Sequence, residues 1–229
     1  MTFIFHTIIE VLKGVPNTLA VTLIAMCVGI LIGSIFALIR LHQIPVLSQF
    51  VVIYNSFFRS TPLIVQLFVF YYGVPAFILW FNAICHTSMN PDMVPPLLIA
   101  AITFSLHATA YLSESIKGGL LSVDTKQIEA AQTVGLSKWN VYRRIVFPQA
   151  FGYALPNIEN QFIMLLKGTS LAFAVQVTEI MAISTEMANE GYQFVPVYTV
   201  AAIFYWALAI IIELIFHKLE LHTTHYLVS

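Results

Sequence analysis

Charge is what this sequence has least of. Of 229 residues, only 9% are Asp, Glu, Lys or Arg, while 59% are hydrophobic. Water-soluble domains carry about 45–50% apolar and roughly 25% charged residues, so these few charges cannot cover a water-facing surface of this size. The formal net charge of -1 excludes the basic footprint of a nucleic-acid-binding chain. Cysteine is nearly absent as well. Cys27 lies in an apolar run and Cys85 in a loop, with no metal or redox spacing between them, and both read as small apolar or bystander thiols. The phosphate-cradling pattern G-x-x-x-x-G-K-S/T is missing, since Lys167-Gly168-Thr169-Ser170 has the wrong order and spacing. The chain is therefore expected to hydrolyse no ATP itself. H-E-x-x-H and G-x-S-x-G are missing too, so no catalytic residue is assigned. His217, His222 and His225 lack a fourth ligand and a regular helical spacing and read as a solvated tail, so neither a metal nor a cofactor is expected.

What fills the sequence instead is hydrocarbon. The mean hydropathy is +0.86, and several uncharged runs reach the roughly 20 residues that cross a bilayer as helix. The fold class that follows is an all-α integral membrane protein in contact with lipid. The absence of a polar linker makes residues 1–229 a single transmembrane domain. Residues 1–16 are weakly amphipathic and predict a short interfacial helix ended near Gly14 and Pro16. Glu10 and Lys13 in this stretch, with no small-residue cleavage site, leave the first span to direct insertion. Residues 18–39 form that span, and Gly29-x-x-x-Gly33 permits close helix approach. Residues 46–81 are too long for one span and break at Arg59-Ser60-Thr61-Pro62, leaving 63–81 to cross. Residues 94–113 are the third span. A fourth, irregular span covers 151–166 and 171–183, interrupted by Asn157, Glu159, Asn160, Gln161, Lys167 and Glu179. Residues 194–216 are the fifth. Tyr71, Tyr72, Trp80 and Phe81 mark the outer interface.

Five of the ten Lys and Arg residues (Lys117, Lys126, Lys138, Arg143, Arg144) lie in the loop after span three. The loops 82–93 and 184–193 contain none. With five spans, this bias places the N-terminus outside and the C-terminus in the cytoplasm.

The same loop is the only long polar, helix-compatible segment. Asp124 can cap a helix, with Gln127 completing a capping box. Gly135 ends that helix by tolerating positive φ. Ser137 caps a second helix over 138–146, which Pro148 stops. Two short helices joined at Gly135 make a compact cytoplasmic knob. Ala130 and Ala131 would let a partner's surface approach the backbone, and Glu129 can pair with a partner's cation.

Glu129-Ala130-Ala131, Gly135, Ile145 and Pro148 resemble, in order and spacing, the "EAA" loop of ABC-transporter membrane subunits, here spanning residues 122–148. Arg59-Ser60-Thr61-Pro62-Leu63 with Gln66-Leu67 resembles the R-G-T-P-L-x-x-Q-L segment of polar amino-acid permeases, with Ser60 replacing glycine. Ala110-Tyr111, Glu114, Gly118-Gly119 and Ser122-Val123 match the stretch before that family's loop. Asn160-Gln161-Phe162-Ile163, Leu166-Lys167 and Thr169-Ser170-Leu171 match its N-Q-F-I…L-K-D-T-S-L segment, with Gly168 replacing the acidic residue. Over roughly residues 15–216 the chain resembles the histidine/glutamine/arginine/cystine-type permeases. The resemblance implies a type I ABC importer permease fold of five transmembrane helices in a bacterial cytoplasmic membrane. It implies a second permease subunit in a homo- or heterodimer, two copies of an ABC ATPase subunit and an extracytoplasmic solute-binding protein. It also implies transport of a polar amino acid by alternating access. Gly135 and its neighbours would couple that movement to the ATPase. Lys167–Ala174 leans towards the cystine-type branch, and Gln161 leans against a cationic substrate.

Polar groups inside a membrane are costly unless satisfied or functional, about 2.5–3.5 kcal/mol for a mid-bilayer charge on insertion scales. Arg59, Glu114, Asn160, Gln161 and Lys167 are the candidates for the substrate path. Arg59 or Lys167 can meet a carboxylate and Glu114 an ammonium group. Snorkelling or interhelical pairing is the other reading of Arg59 and Glu114. An ion pair with Glu159 or Glu179 is that of Lys167, and interhelical hydrogen bonding that of the two amides. His107 reads as a hydrogen-bonded packing residue rather than a proton relay. The rival function is an ion-coupled secondary amino-acid carrier, supported by Glu114, Glu159 and His107. The absence of an internal inverted repeat opposes it.

Overall fold

In the computed structural model, residues 2–223 are described, and among them all regular structure is helical. Thr2–Leu12 (α1) and Val15–Leu41 (α2) together make one apolar candidate span from Phe3 to Leu41. The expected amphipathic helix does not lie free on a surface: one face packs on later helices, while Ile4, Phe5, Ile8, Ile9 and Leu12 stay exposed. Val11 is buried against Ile180, Val200 and Ala201, and Phe3 packs beside Met187, Ala188 and Val197. Leu47–Ser60 (α3) and Leu63–Cys85 (α4) are separated by the Thr61-Pro62 break. Proline cannot donate an amide, and it drives the residue before it out of the helical region; Thr61 accordingly sits at ψ 136.

Pro96–Leu121 (α5) is the central element, packing on α2, α3, α4 and the long helix Phe147–Gly168. Its small residues Ala100, Ala101, Ala108 and Ala110 are all buried, which lets neighbouring backbones approach where no hydrophobic drive separates helix from lipid. The glycine pair of α2 is the clearest case. A Cβ at Gly29 would come within 2.9 Å of Ala108 Cβ, and one at Gly33 within 3.1 Å of Ser113 N. The expected close-approach face of α2 is therefore its contact with α5.

Thr125–Thr133 (α6) and Lys138–Val141 (α7) form the knob. A π-helical turn, Tyr142–Val146, then leads without a stop into Phe147–Gly168 (α8) and a 3-10 segment, Thr169–Val175. Pro148 thus does not end the second knob helix as expected. It lies in the first turn of α8, behind the π turn in which Phe147 N–H donates to Tyr142 O. The wider turn absorbs the amide that proline lacks.

Ile180–Gly191 (α9) follows at a bend of 55°, and Phe194–Thr223 (α10) closes the chain. Among the described residues, four helical segments are long and apolar enough to cross a membrane, and the bent pair makes a fifth if counted as one span. That matches the expected five spans with an irregular fourth. At the bend, Glu179 is only 1% exposed. Its carboxylate accepts from Met181 N and Ala182 N, capping α9, and from Tyr205 Oη at 2.7 Å. It forms no pair with Lys167, which is exposed and without an ion pair among the described residues.

Candidate functional site

The knob is built from local contacts. Asp124 Oδ1 accepts from Lys126 N at 2.9 Å, and Ser137 Oγ accepts from Asn140 N. Gly135 has φ +83. Gly135 N–H donates to Gln132 O and Leu136 N–H to Ala131 O, the paired bonds of a Schellman C-cap. The capping box, by contrast, is not formed. Gln127 Oε1 instead accepts from Gln149 Nε2 at 2.6 Å, tying α6 to the start of α8.

Beneath the knob lies a small core of Val123, Ala131, Val141, Val146 and Ala150, with Ile145 and Leu136 packed on it. Ala131 is therefore not available to a partner, because its methyl fills the knob's own interior. Glu129, Ala130 and Pro148 are exposed. Two apolar residues passed over in the sequence join them on the surface, Val134 at 79% exposed and Trp139 at 67%. Apolar residues of the same loop such as Val141 and Ile145 enter the knob's core, so only the packing, and no local signal, separates Val134 and Trp139 from them.

A second site lies among α2, α3 and α5. A cleft of about 450 Å³ is lined by Arg40, Val52, Asn55, Ser56, Arg59, Ser60, Tyr111 and Glu114. The structure thus brings Arg59 and Glu114 together and adds Arg40 and Asn55, which sequence reasoning missed. Arg40 Nη1 lies 3.7 Å from Glu114 Oε1. Asn55 Nδ2 donates to the same oxygen at 3.0 Å and to Ser113 Oγ at 2.8 Å. Arg59 has no carboxylate partner among the described residues, and its guanidinium stacks 5.5 Å over the Tyr111 ring.

Asn160, Gln161 and Lys167 lie elsewhere, on α8. Gln161 is buried, whereas Asn160 and Lys167 are exposed on one stripe with Tyr153, Asn157 and Met164. Their spacing of three and four residues makes this a single helix face. His107 packs as expected, with Nδ1 3.1 Å from Gln66 Oε1, while Gln66 Nε2 reaches Phe58 O and Thr61 O across the α3–α4 break. No group of His, Cys, Asp and Glu among the described residues can hold a metal ion. His225 lies outside the described residues, as does the side chain of His222.

Comparison with known proteins connects this architecture to transport. Residues 29–224 match the family described as binding-protein-dependent transport system inner membrane component. The probable amino-acid permease protein YxeN of Bacillus subtilis (strain 168) is 41% identical over 213 residues, covering 92% of this chain and 88% of the relative. The L-cystine transport system permease protein TcyL of the same organism is 36% identical over 205 residues, covering 90% and 83%. Among solved structures, an amino acid ABC transporter crystallised with histidines has a TM-score of 0.79 at 25% identity, over 93% of this chain and 94% of that one. The ion-coupled carrier finds no support in these matches. The chain belongs to the family of binding-protein-dependent transport inner membrane components: it is the non-enzymatic, multi-pass permease subunit of an amino-acid ABC importer of type I fold, in which a separate subunit hydrolyses ATP.

Proposed function

We propose that two such permease subunits stand on two ATPase subunits, receive an amino acid from an extracytoplasmic solute-binding protein, and pass it inward by alternating access. The observation that carries this reading is the knob. It presents Glu129, Ala130, Val134 and Trp139 outward on a self-capped scaffold, so a partner can press on it without unfolding it. The N-terminus lies outside and the C-terminus in the cytoplasm, supported by the five Lys and Arg residues in and beside the knob. Arg59, Glu114, Asn160, Gln161 and Lys167 belong to the substrate path, grouped in the α2–α3–α5 cleft and along α8. The substrate is a neutral polar amino acid, with cystine favoured. Gln161 and Gly168 stand where acidic residues would suit a cation, and the relative TcyL is a cystine permease.

Mild-detergent purification of the tagged chain from its host, with native mass measurement, tests this. Recovery of two permease and two ATPase subunits, lost on replacing Glu129 and Gly135, is expected. Recovery of the chain alone, active for uptake without ATP, overturns the reading. Labelling of Cys85 by a membrane-impermeant maleimide applied from outside checks the orientation, because this exposed cysteine ends α4.

A further inference from the structure

The polar cleft holds two guanidinium groups, Arg40 and Arg59, against one carboxylate, Glu114. Their roles are not equivalent. Glu114 Oε1 accepts from the Asn55 amide and lies 3.7 Å from Arg40 Nη1, so Arg40 already stands against the charge that an incoming ammonium group would seek. Arg59 carries the charge that nothing in the cleft neutralises.

Asn55 supplies the second observation. It is 4% exposed, and its amide orientation follows from its neighbours. Ser113 Oγ donates to Ala110 O and therefore accepts from Asn55, while the Glu114 carboxylate can only accept. Both Asn55 N–H groups are used in this way, which leaves Oδ1 buried with no donor. A buried acceptor without a donor costs about 1–3 kcal/mol, so the site is incomplete as it stands.

We propose that the cleft is an amino-acid subsite in which Arg59 holds the substrate carboxylate, Asn55 Oδ1 accepts from the ammonium group, and Glu114 is a positioning residue that orients Asn55. Oδ1 is sealed in this conformation, so the ammonium reaches it only as the cleft widens around Asn55 with its bonds to Ser113 and Glu114 intact. The surplus positive charge makes the subsite reject amino acids with cationic side chains. This rests on the reading that Arg59 and Glu114 lie in the substrate path, and it reassigns the ammonium contact from Glu114 to Asn55.

The test is competition against ATP-driven uptake of radiolabelled cystine, and in parallel of glutamine, by the complete importer in phosphatidylcholine proteoliposomes. Cystamine and 4-aminobutanamide lack the carboxylate, whereas 3,3′-dithiodipropionate and glutaramate lack the ammonium group. Arg59→Gln should weaken apparent affinity about tenfold or more and erase the preference for carboxylate-bearing competitors, and Arg59→Lys should restore part of both. Asn55→Leu should erase the preference for ammonium-bearing competitors, and Glu114→Gln should keep it. The assignment falls if Glu114→Gln, and not Asn55→Leu, removes that preference, or if arginine competes better than glutamine. If the Arg59 and Asn55 variants transport and discriminate as the native chain does, the cleft is not in the path, and the broader reading of these residues falls instead. Inhibition on adding phosphatidylglycerol, relieved in Arg59→Gln, would mark the cleft as a lipid phosphate site and overturn the proposal.

Discussion

The knob and the cleft are both rich in polar side chains but are held in opposite ways. In the knob, ties run between near neighbours: Asp124 to Lys126, Ser137 to Asn140, and Leu136 back to Ala131. In the cleft, Asn55 bonds to residues 58 and 59 positions away, and Arg40 reaches Glu114 from another helix. A self-capped motif keeps its shape while something else pulls on it, which suits a lever. A pocket whose walls belong to three helices changes shape whenever those helices shift, which suits a compartment that must open and close. The two regions should therefore respond differently to injury.

The largest contrast is expected from glycine. Gly29→Val forces a branched side chain into Ala108 and Leu112, an overpacking cost at the upper end of about 1–3 kcal/mol. It should abolish the monodisperse peak in detergent gel filtration, taking the cleft with it. Gly135→Val meets nothing within 4 Å, so its cost is only that of the backbone at φ +83, about 1–2 kcal/mol. The protein should insert and purify, yet uptake should fall roughly tenfold or more because the knob's angle is lost, with partner ATPase turnover no longer tied to transport. Gly135→Asn, which tolerates the left-handed region, should behave close to native. Normal uptake by Gly135→Val would end the view of the knob as a lever.

Between these lies the cleft's own pair. A double-mutant cycle of Arg40→Ala and Glu114→Ala, read by thermal unfolding in detergent, should show a coupling of about 0.5–3 kcal/mol, as for contacting residues in one network. A coupling near zero would mean that the 3.7 Å contact does not hold α2 to α5, and that Glu114 is free for a ligand after all.

What could be read from sequence divides along the same line. The knob's caps, its glycine and its exposed Glu129 and Ala130 follow from residues three or four apart, the range over which helix signals act. Hydropathy shows four of the apolar segments because each is long and contiguous, and the fourth in chain order only as an interrupted one. Arg40 and Asn55 could not be found that way. Arg40 ends one span and Asn55 sits mid-helix in α3, and only the packing of α2 and α3 on α5 makes them neighbours of Glu114. Local reading also erred where a tertiary contact competed for a local group. Ala131 was taken by the knob's core, Pro148 was accommodated by a π turn, and α1 was drawn onto α9 and α10.

Gln127 is the smallest and sharpest instance. As the third residue after Asp124, it has the spacing of a reciprocal cap, and in that role its loss would cost close to what the cap itself is worth. The structure instead gives its carbonyl to Gln149, in an exposed bond between two neutral side chains. Asp124→Ala removes the acceptor for Lys126 N and should cost about 1 kcal/mol. Gln127→Ala removes only a solvent-competed bond and should cost about 0.5 kcal/mol or less. Both can be read as shifts in thermal unfolding of the purified chain. Equal losses would show that the capping box forms in the purified chain, and that the knob is even more local than its contacts with α8 suggest. A smaller loss for Gln127, accompanied by a similar small loss for Gln149→Ala and no further loss in the double variant, would place the strut between α6 and α8. That strut links the lever to the helix that carries Asn160, Gln161 and Lys167.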